Sequence, residues 1–241
     1  MKNVAILTAG GIGSRMGQDI PKQFLSVNDK PVIVYTLEVF QNHPEIDEIV
    51  VACLDGWEGV LDAYARQFNI TKLKKIVKGG EDGQASIRNC LDAIDDGEDK
   101  IVVIHDGNRP MLSADIVSNA LAGCKKNGNA VVAIPCTEVL MTSEDGKTAD
   151  GMMDRDKVKR TQTPHVFYLK DILSAHREAE ERGLPRSAAS CALYEMLGRK
   201  VYFVDGSEKN LKLTTVDDID IFNALLSIKR EGWLKDGGEK K

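Results

Sequence analysis

The stretch Thr8-Ala9-Gly10-Gly11-Ile12-Gly13-Ser14-Arg15-Met16-Gly17 sets glycines and then an arginine directly after a short apolar run. Glycine lets the backbone approach a ligand and aim several N–H groups at one anion. Lys22 follows within Ile20-Pro21-Lys22-Gln23-Phe24. Arginine offers forked donors and lysine a mobile point charge. A glycine loop with two cations between Gly10 and Lys22 therefore suits a triphosphate. The loop is not a Walker A sequence, because no Gly-Lys-Ser/Thr follows. It is not a dinucleotide fingerprint either, because Met16 stands where a third glycine belongs. On its glycines alone the loop equally fits a tight turn with no ligand; Arg15 and Lys22 are what turn the reading toward phosphate.

The elements that must position these residues alternate in kind. Val4–Ala9, Glu48–Leu54, Lys75–Lys78, Lys100–Asp106, Ala130–Cys136 and Lys200–Asp205 read as strands, the first four largely apolar as in a sheet covered on both faces. Pro31 opens a helix carrying Val32, Tyr35, Leu37 and Phe40. Further helices are expected over Ser86–Ile94, Ala114–Lys126 and Leu169–Arg182, and a last one from Thr215, with Thr215 and Asp218 as a capping box. Strand–helix alternation predicts an α/β fold with a doubly wound, mostly parallel sheet. Such sheets bind ligands beyond the C-terminal ends of their strands. One segment breaks the pattern. Residues 137–160 are polar and charged, and read as a β-arm leaving the sheet, functional or in contact with a partner. Residues 1–234 are expected to form a single domain, and 235–241 a flexible tail.

Bulk properties exclude several classes. The chain has 241 residues, a net charge of -5 and no basic run, so it lacks an electrostatic footprint for nucleic acid. The apolar run Val4–Ala9 is too short to span a membrane and lacks the pattern of a signal peptide. The five cysteines (Cys53, Cys90, Cys124, Cys136 and Cys191) are widely spaced and read as reduced buried thiols of a cytoplasmic protein. No CxxC or Cys/His cluster points to zinc.

The pattern A-G-G-x-G-x-R-M-G…P-K-Q-F resembles the cytidylyltransferase family that includes the 2-C-methyl-D-erythritol 4-phosphate and ribitol 5-phosphate enzymes. The resemblance runs along nearly the whole chain. Gly79-Gly80-Glu81 with Ser86-Ile87 is similar to the family's cytosine-recognising segment, and His105-Asp106-Gly107-Asn108-Arg109-Pro110 to its H-D-x-x-R-P motif. Thr161-Gln162-Thr163-Pro164 with Phe167 resembles Q-T-P-Q-x-F, and Asn210-Leu211-Lys212-Leu213-Thr214 resembles N-x-K-x-T. The resemblance implies a Rossmann-like nucleotidyltransferase fold and transfer of CMP from CTP to a sugar-alcohol phosphate. It implies that Ala9, Gly10, Gly11, Gly13, Gly80, Glu81 and Ser86 hold the nucleotide. Arg15 and Lys22 would clamp the triphosphate, with Lys212 bridging the α-phosphate and the incoming phosphate. Asp106 would hold Mg²⁺ beside CTP and contact substrate, and Arg109 would meet the substrate phosphate. The family implies a homodimer, with Arg155 of the arm binding the sugar phosphate across the interface. The chemistry is consistent with these roles: the acceptor phosphate is already an anion, so positioning and cations matter more than proton transfer. His105 and Asn210 read as structural.

The chain also departs from the family. Gly83 stands where arginine is usual, Glu138-Val139 where the arm offers an Asp-Thr pair, and His165 where glutamine follows the proline. The acid of the family's T-D-E/A helix start is missing from Arg186-Ser187-Ala188-Ala189. The resemblance implies an acceptor of the 2-C-methyl-D-erythritol 4-phosphate type; because the nucleotide half is better kept than the acceptor half, the alternative is an altered acceptor, ribitol 5-phosphate or another polyol or sugar phosphate for a cell-surface polymer. Two competing readings are a different NTP, decided by residues 79–86, and a nucleotide-binding paralogue without strong activity.

Overall fold

The computed structural model describes residues 1–11, 20–187 and 189–228. Its strands are β1 (Lys2–Ala9), the hairpin β2 (Ser26–Val27) and β3 (Lys30–Pro31), β4 (Glu48–Cys53), β5 (Leu73–Lys78), β6 (Lys100–Asp106), β7 (Asn129–Pro135), β8 (Leu140–Thr142), β9 (Gly151–Met153), β10 (Lys159–Tyr168) and β11 (Phe203–Asp205). Its helices are α1 (Val32–Asn42), α2 (Glu58–Gln67), α3 (Gly83–Ile94), α4 (Ala114–Asn127), α5 (Leu169–Glu181), α6 (Ser190–Met196) and α7 (Val216–Ser227).

The main sheet has the order β11-β7-β10-β6-β1-β4-β5. Every neighbouring pair is parallel except those of β10, which runs antiparallel to both β6 and β7. The two-residue period of a strand explains how the sheet is covered. In β1, Ala5, Leu7 and Ala9 face a core shared with Ile33, Leu37, Leu61, Val117 and Leu121 of α1, α2 and α4. Val4 and Ile6 face the other core, with Ile87, Leu91, Ile172 and Leu193 of α3, α5 and α6. Each such Val, Leu or Ile side chain contributes roughly 1.5–3 kcal/mol by leaving water. β5 is an edge strand, and its exposed Lys74, Lys75 and Lys78 discourage pairing with another chain.

Three details differ from the sequence expectation. β10, through the Thr161–Pro164 motif, is a central strand that the polar sequence did not announce. α2 and α6 were likewise not anticipated, α2 because only Leu61 and Ala65 of its residues are buried. The strand expected over 200–205 is paired only from Phe203. The capping box at the last helix is present: the Thr215 hydroxyl accepts from the Asp218 N–H, and the Asp218 carboxylate accepts from the Thr215 N–H. Within 137–160, β8 and β9 pair antiparallel, followed by a single 3-10 turn over Arg155–Lys157. No helix among the described residues is long and apolar enough to cross a membrane.

Candidate active site

The C-terminal ends of β1 and β6 lie side by side, with Thr8 in register with Asp106. The loops beyond them enclose a cavity of about 350 Å³. Ala9, Gly10, Gly11 and Lys22 line it from the first loop, and Gly80, Glu81 and Ser86 from the segment after β5. Asp106 and Arg109 line it from the end of β6, and Lys212 from the loop after β11.

Asp106 is the hub. Arg109 Nε donates to its Oδ2 at 2.8 Å, and Lys212 Nζ to its Oδ1 at 3.1 Å. Thr163 accepts from the Asp106 N–H at 3.1 Å through its hydroxyl oxygen and lies 3.4 Å from Oδ2. Burial opposes ionisation of Asp106, but the Lys212 ammonium and the Arg109 guanidinium outweigh it and hold the carboxyl well below the usual range. The carboxylate is therefore charged at neutral pH. Among the described residues Lys22, Arg109 and Lys212 line the cavity together with Asp106, while Glu81 and Asp82 line it on the α3 side, so the cations that suit a polyanion are gathered at the strand ends.

Lys212 arrives from far along the chain, and its loop is stapled in place. Asn210 is fully buried; its Nδ2 donates to Thr163 O at 2.8 Å and Gln162 Oε1 at 3.2 Å. The Asn210 carbonyl accepts from Arg109 Nη1 at 2.8 Å. The Leu213 N–H donates to Asn108 O at 2.9 Å, and Asn108 Nδ2 donates back to Leu213 O. The loops bearing Arg109 and Lys212 thus share one hydrogen-bond network, and Asn210 fixes a loop as its sequence reading anticipated.

The glycine walls are shaped by close backbone approach. A Cβ on Gly10 would lie 3.3 Å from Gly79 Cα and from Ser86 Oγ, and one on Gly80 would meet the Ala85 side chain at 2.4 Å. Ser86 Oγ accepts from the Gly80 N–H at 3.0 Å and donates to Asp82 O at 2.8 Å. Asp82 caps α3 by accepting from the Ala85 N–H at 2.8 Å. Buried Gln23 donates to Ala9 O at 2.7 Å and Gly11 O at 3.0 Å, which fastens the first glycine loop.

His105 and His165 are almost wholly buried, and burial pushes both imidazoles down to about 4. Both are neutral at pH 7. His105 lies 3.2 Å from Arg109 O through Nε2 and contacts the Phe40 ring edge-on.

The sequence-predicted residues Ala9, Gly10, Gly11, Lys22, Gly80, Glu81, Ser86, Asp106, Arg109 and Lys212 are brought to one cavity. Gly13 and Arg15 lie outside the described residues. Arg155 does not line the cavity; it is exposed on the arm, and its Nη1 donates to Thr137 O at 3.3 Å. Sequence reasoning assigned no role to Gln23 or Thr163, although both sit inside motifs it had singled out.

For a metal, the described residues offer no cluster of three or more His, Cys, Asp or Glu side chains. That excludes from them a protein-built cage of such ligands. Ionised Asp106, bonded to Arg109 and Lys212 and with acceptor capacity left on both oxygens, fits Mg²⁺, which binds through one or two carboxylates and takes its other oxygens from water and phosphates.

A mostly parallel, doubly wound sheet with glycine loops and gathered cations at its strand ends defines a nucleotidyltransferase of Rossmann-like fold. The chain belongs to the 2-C-methyl-D-erythritol 4-phosphate cytidylyltransferase family, whose model matches residues 3–228. It is 42% identical over 229 residues to a ribitol-5-phosphate cytidylyltransferase of Lacticaseibacillus paracasei, covering 93% of this chain and 98% of that one. It is 37% identical over 226 residues to a 2-C-methyl-D-erythritol 4-phosphate cytidylyltransferase of Clostridium acetobutylicum, covering 93% and 97%. The crystal structure of 4-diphosphocytidyl-2C-methyl-D-erythritol synthase from Anaerococcus prevotii superposes with a TM-score of 0.80 at 27% identity, covering 93% of this chain and 96% of that one.

Proposed function

We propose that the protein transfers CMP from CTP to the phosphate of a linear sugar alcohol, with ribitol 5-phosphate as the acceptor. The observation that carries the reaction is the gathering of Lys22, Arg109 and Lys212 with ionised Asp106 in one glycine-walled cavity of a cytidylyltransferase-family chain. An oxygen of the acceptor phosphate forms the new bond to the α-phosphorus of CTP, the bond to the β-phosphate oxygen breaks, and pyrophosphate leaves. No proton has to move for the attack. What opposes it is anion meeting anion, and cations placed in advance answer that need. Lys22 and Arg15 hold the triphosphate, Lys212 spans the two reacting phosphates, and Arg109 meets the acceptor. Asp106 would hold Mg²⁺ together with phosphate oxygens; when bound, the ion neutralises triphosphate charge.

The choice of acceptor draws on the relatives named ribitol-5-phosphate cytidylyltransferase, 37% to 42% identical. It also draws on Glu138-Val139, which lacks the hydroxyl that the family's arm offers. A pocket that hydrogen-bonds a substrate hydroxyl rejects analogues lacking it, so exchanging that group changes which polyol is preferred. The second reading, methylerythritol phosphate, is favoured by the family model and by the Clostridium acetobutylicum relative. We further propose a cytoplasmic homodimer in which Arg155 serves the acceptor phosphate bound to the other copy. The test incubates the protein with CTP, Mg²⁺ and a panel of polyol phosphates, follows pyrophosphate and identifies the product by mass. CDP-ribitol as the main product is expected; turnover with methylerythritol phosphate alone would reverse the acceptor assignment.

A further inference from the structure

Arg186 stands just outside the cavity, in the loop that precedes Ala189 and Ser190, which form part of its lining. Its Nη1 donates to Glu81 Oε2 at 2.8 Å and to Asp82 Oδ2 at 3.1 Å. Both acceptors belong to the lining on the α3 side. The same Asp82 carboxylate caps α3 with its other oxygen. One guanidinium thus ties the loop before α6 to the turn that leads into α3, joining two parts of the cavity wall that are distant in sequence.

The charges give this tie a purpose. Among the described residues, Glu81 and Asp82 are the lining carboxylates besides Asp106, and they carry the wrong sign for a triphosphate. Arg186 does not line the cavity, so it neutralises them without occupying space that a ligand needs. It also bears on the shape of the turn. Asp82, Gly80 and Ser86 already form one hydrogen-bonded unit, and Arg186 fixes the outer oxygen of that unit.

We propose that Arg186 is a positioning residue for nucleotide binding, holding the 80–86 turn in its binding shape and masking the charge of Glu81 and Asp82. The inference rests on the CTP reading above. Side chains of Arg186 and Glu81 are 64% and 80% exposed, so the pair is solvent-screened and its effect modest.

The test is isothermal titration of CTP with Mg²⁺ and no acceptor, on wild type, Arg186→Gln and Arg186→Lys, at 50 and 500 mM KCl. At low salt Arg186→Gln should bind CTP about two- to fivefold more weakly. Arg186→Lys should fall between, because one point charge cannot serve two carboxylates as a fork does. At high salt the three should converge, and their thermal midpoints should agree throughout. Equal affinities at low salt would overturn the inference, as would a deficit undiminished at 500 mM KCl. A lowered midpoint with unchanged affinity would leave Arg186 a merely structural role and overturn it too. A wild type that binds no CTP overturns the nucleotide reading along with this one. Wild-type binding with an unaffected Arg186→Gln overturns this one alone.

Discussion

Replacing Lys212 with glutamine removes one of the two cations bonded to Asp106 and one of the three described cations that line the cavity. A unit charge about 4 Å from a phosphate, at the effective dielectric of about 20 that suits sites near a protein surface, is worth about 4 kcal/mol. Part of that attraction already acts on bound CTP, where it supports affinity without raising the rate. The remainder matters only as the acceptor phosphate closes on the α-phosphorus. Groups aimed at developing charge in this way are worth roughly 10²–10³ in kcat, and that is the loss expected here. The fold should survive, because the loop is held by Asn210, Asn108 and the Leu213 backbone and not by the lysine itself. Asp106 keeps Arg109 at 2.8 Å and stays ionised. Pyrophosphate release at saturating CTP and acceptor gives kcat, and CTP titration gives the ground-state part. If kcat falls by less than about tenfold while KM absorbs the loss, Lys212 binds ground and transition states alike and the bridging role is wrong.

Asn210→Ala should leave CTP affinity near wild type but lower kcat about tenfold, because the loop that presents Lys212 loses its bonds to Gln162 and Thr163; a kcat unchanged under saturating substrates would detach that network from catalysis. Stability should fall on mild acidification. His105 and His165 are buried with pKa values pushed down to about 4, against about 6.5 unfolded, so below pH 6.5 the unfolded chain takes up protons that the folded chain refuses. Their contribution is full above about pH 7 and is lost as pH falls from 6.5 toward 4, by roughly 2 kcal/mol per histidine between pH 7 and 5. Urea unfolding of wild type and His165→Gln at the two pH values measures it, and identical pH dependence in both proteins would refute the assignment.

Much of the fold is legible because buried parallel strands write themselves as apolar runs. β1, β4 and β6 do so, and the groups that matter sit where those runs stop, at Gly10 and Asp106. β10 is the instructive failure. It occupies a central place in the sheet, yet it carries Thr161, Gln162, Thr163, Pro164 and His165, and a proline ordinarily argues against a central strand. The structure accommodates this by a register shift between Thr161 and His165 against β7. Gln162 is served by the Ser207 carbonyl at 2.9 Å, and Thr163 is turned to Asp106. Local sequence rules fail there because the strand is shaped by the site it supports.

The residues of the site differ in how far a single sequence discloses them. Lys22 and the glycine loop advertise themselves, since their types and spacing already imply phosphate. Arg186 does not: its partners Glu81 and Asp82 lie 105 and 104 residues away, and the missing acid of the helix start at Arg186-Ser187-Ala188-Ala189 marks its segment without pointing to them. Gln23 falls between. It follows Lys22 directly, but only folding shows that its amide closes on the Ala9 and Gly11 carbonyls and so fastens the start of the glycine loop. Residues that touch phosphate are thus recognisable by chemistry, whereas those that hold the phosphate-binding backbone still become visible only through their partners. The acceptor pocket is the harder half for that reason: a polyol is read by hydroxyls and amides whose pairing is tertiary, and unlike a triphosphate it imposes no charge pattern on the chain.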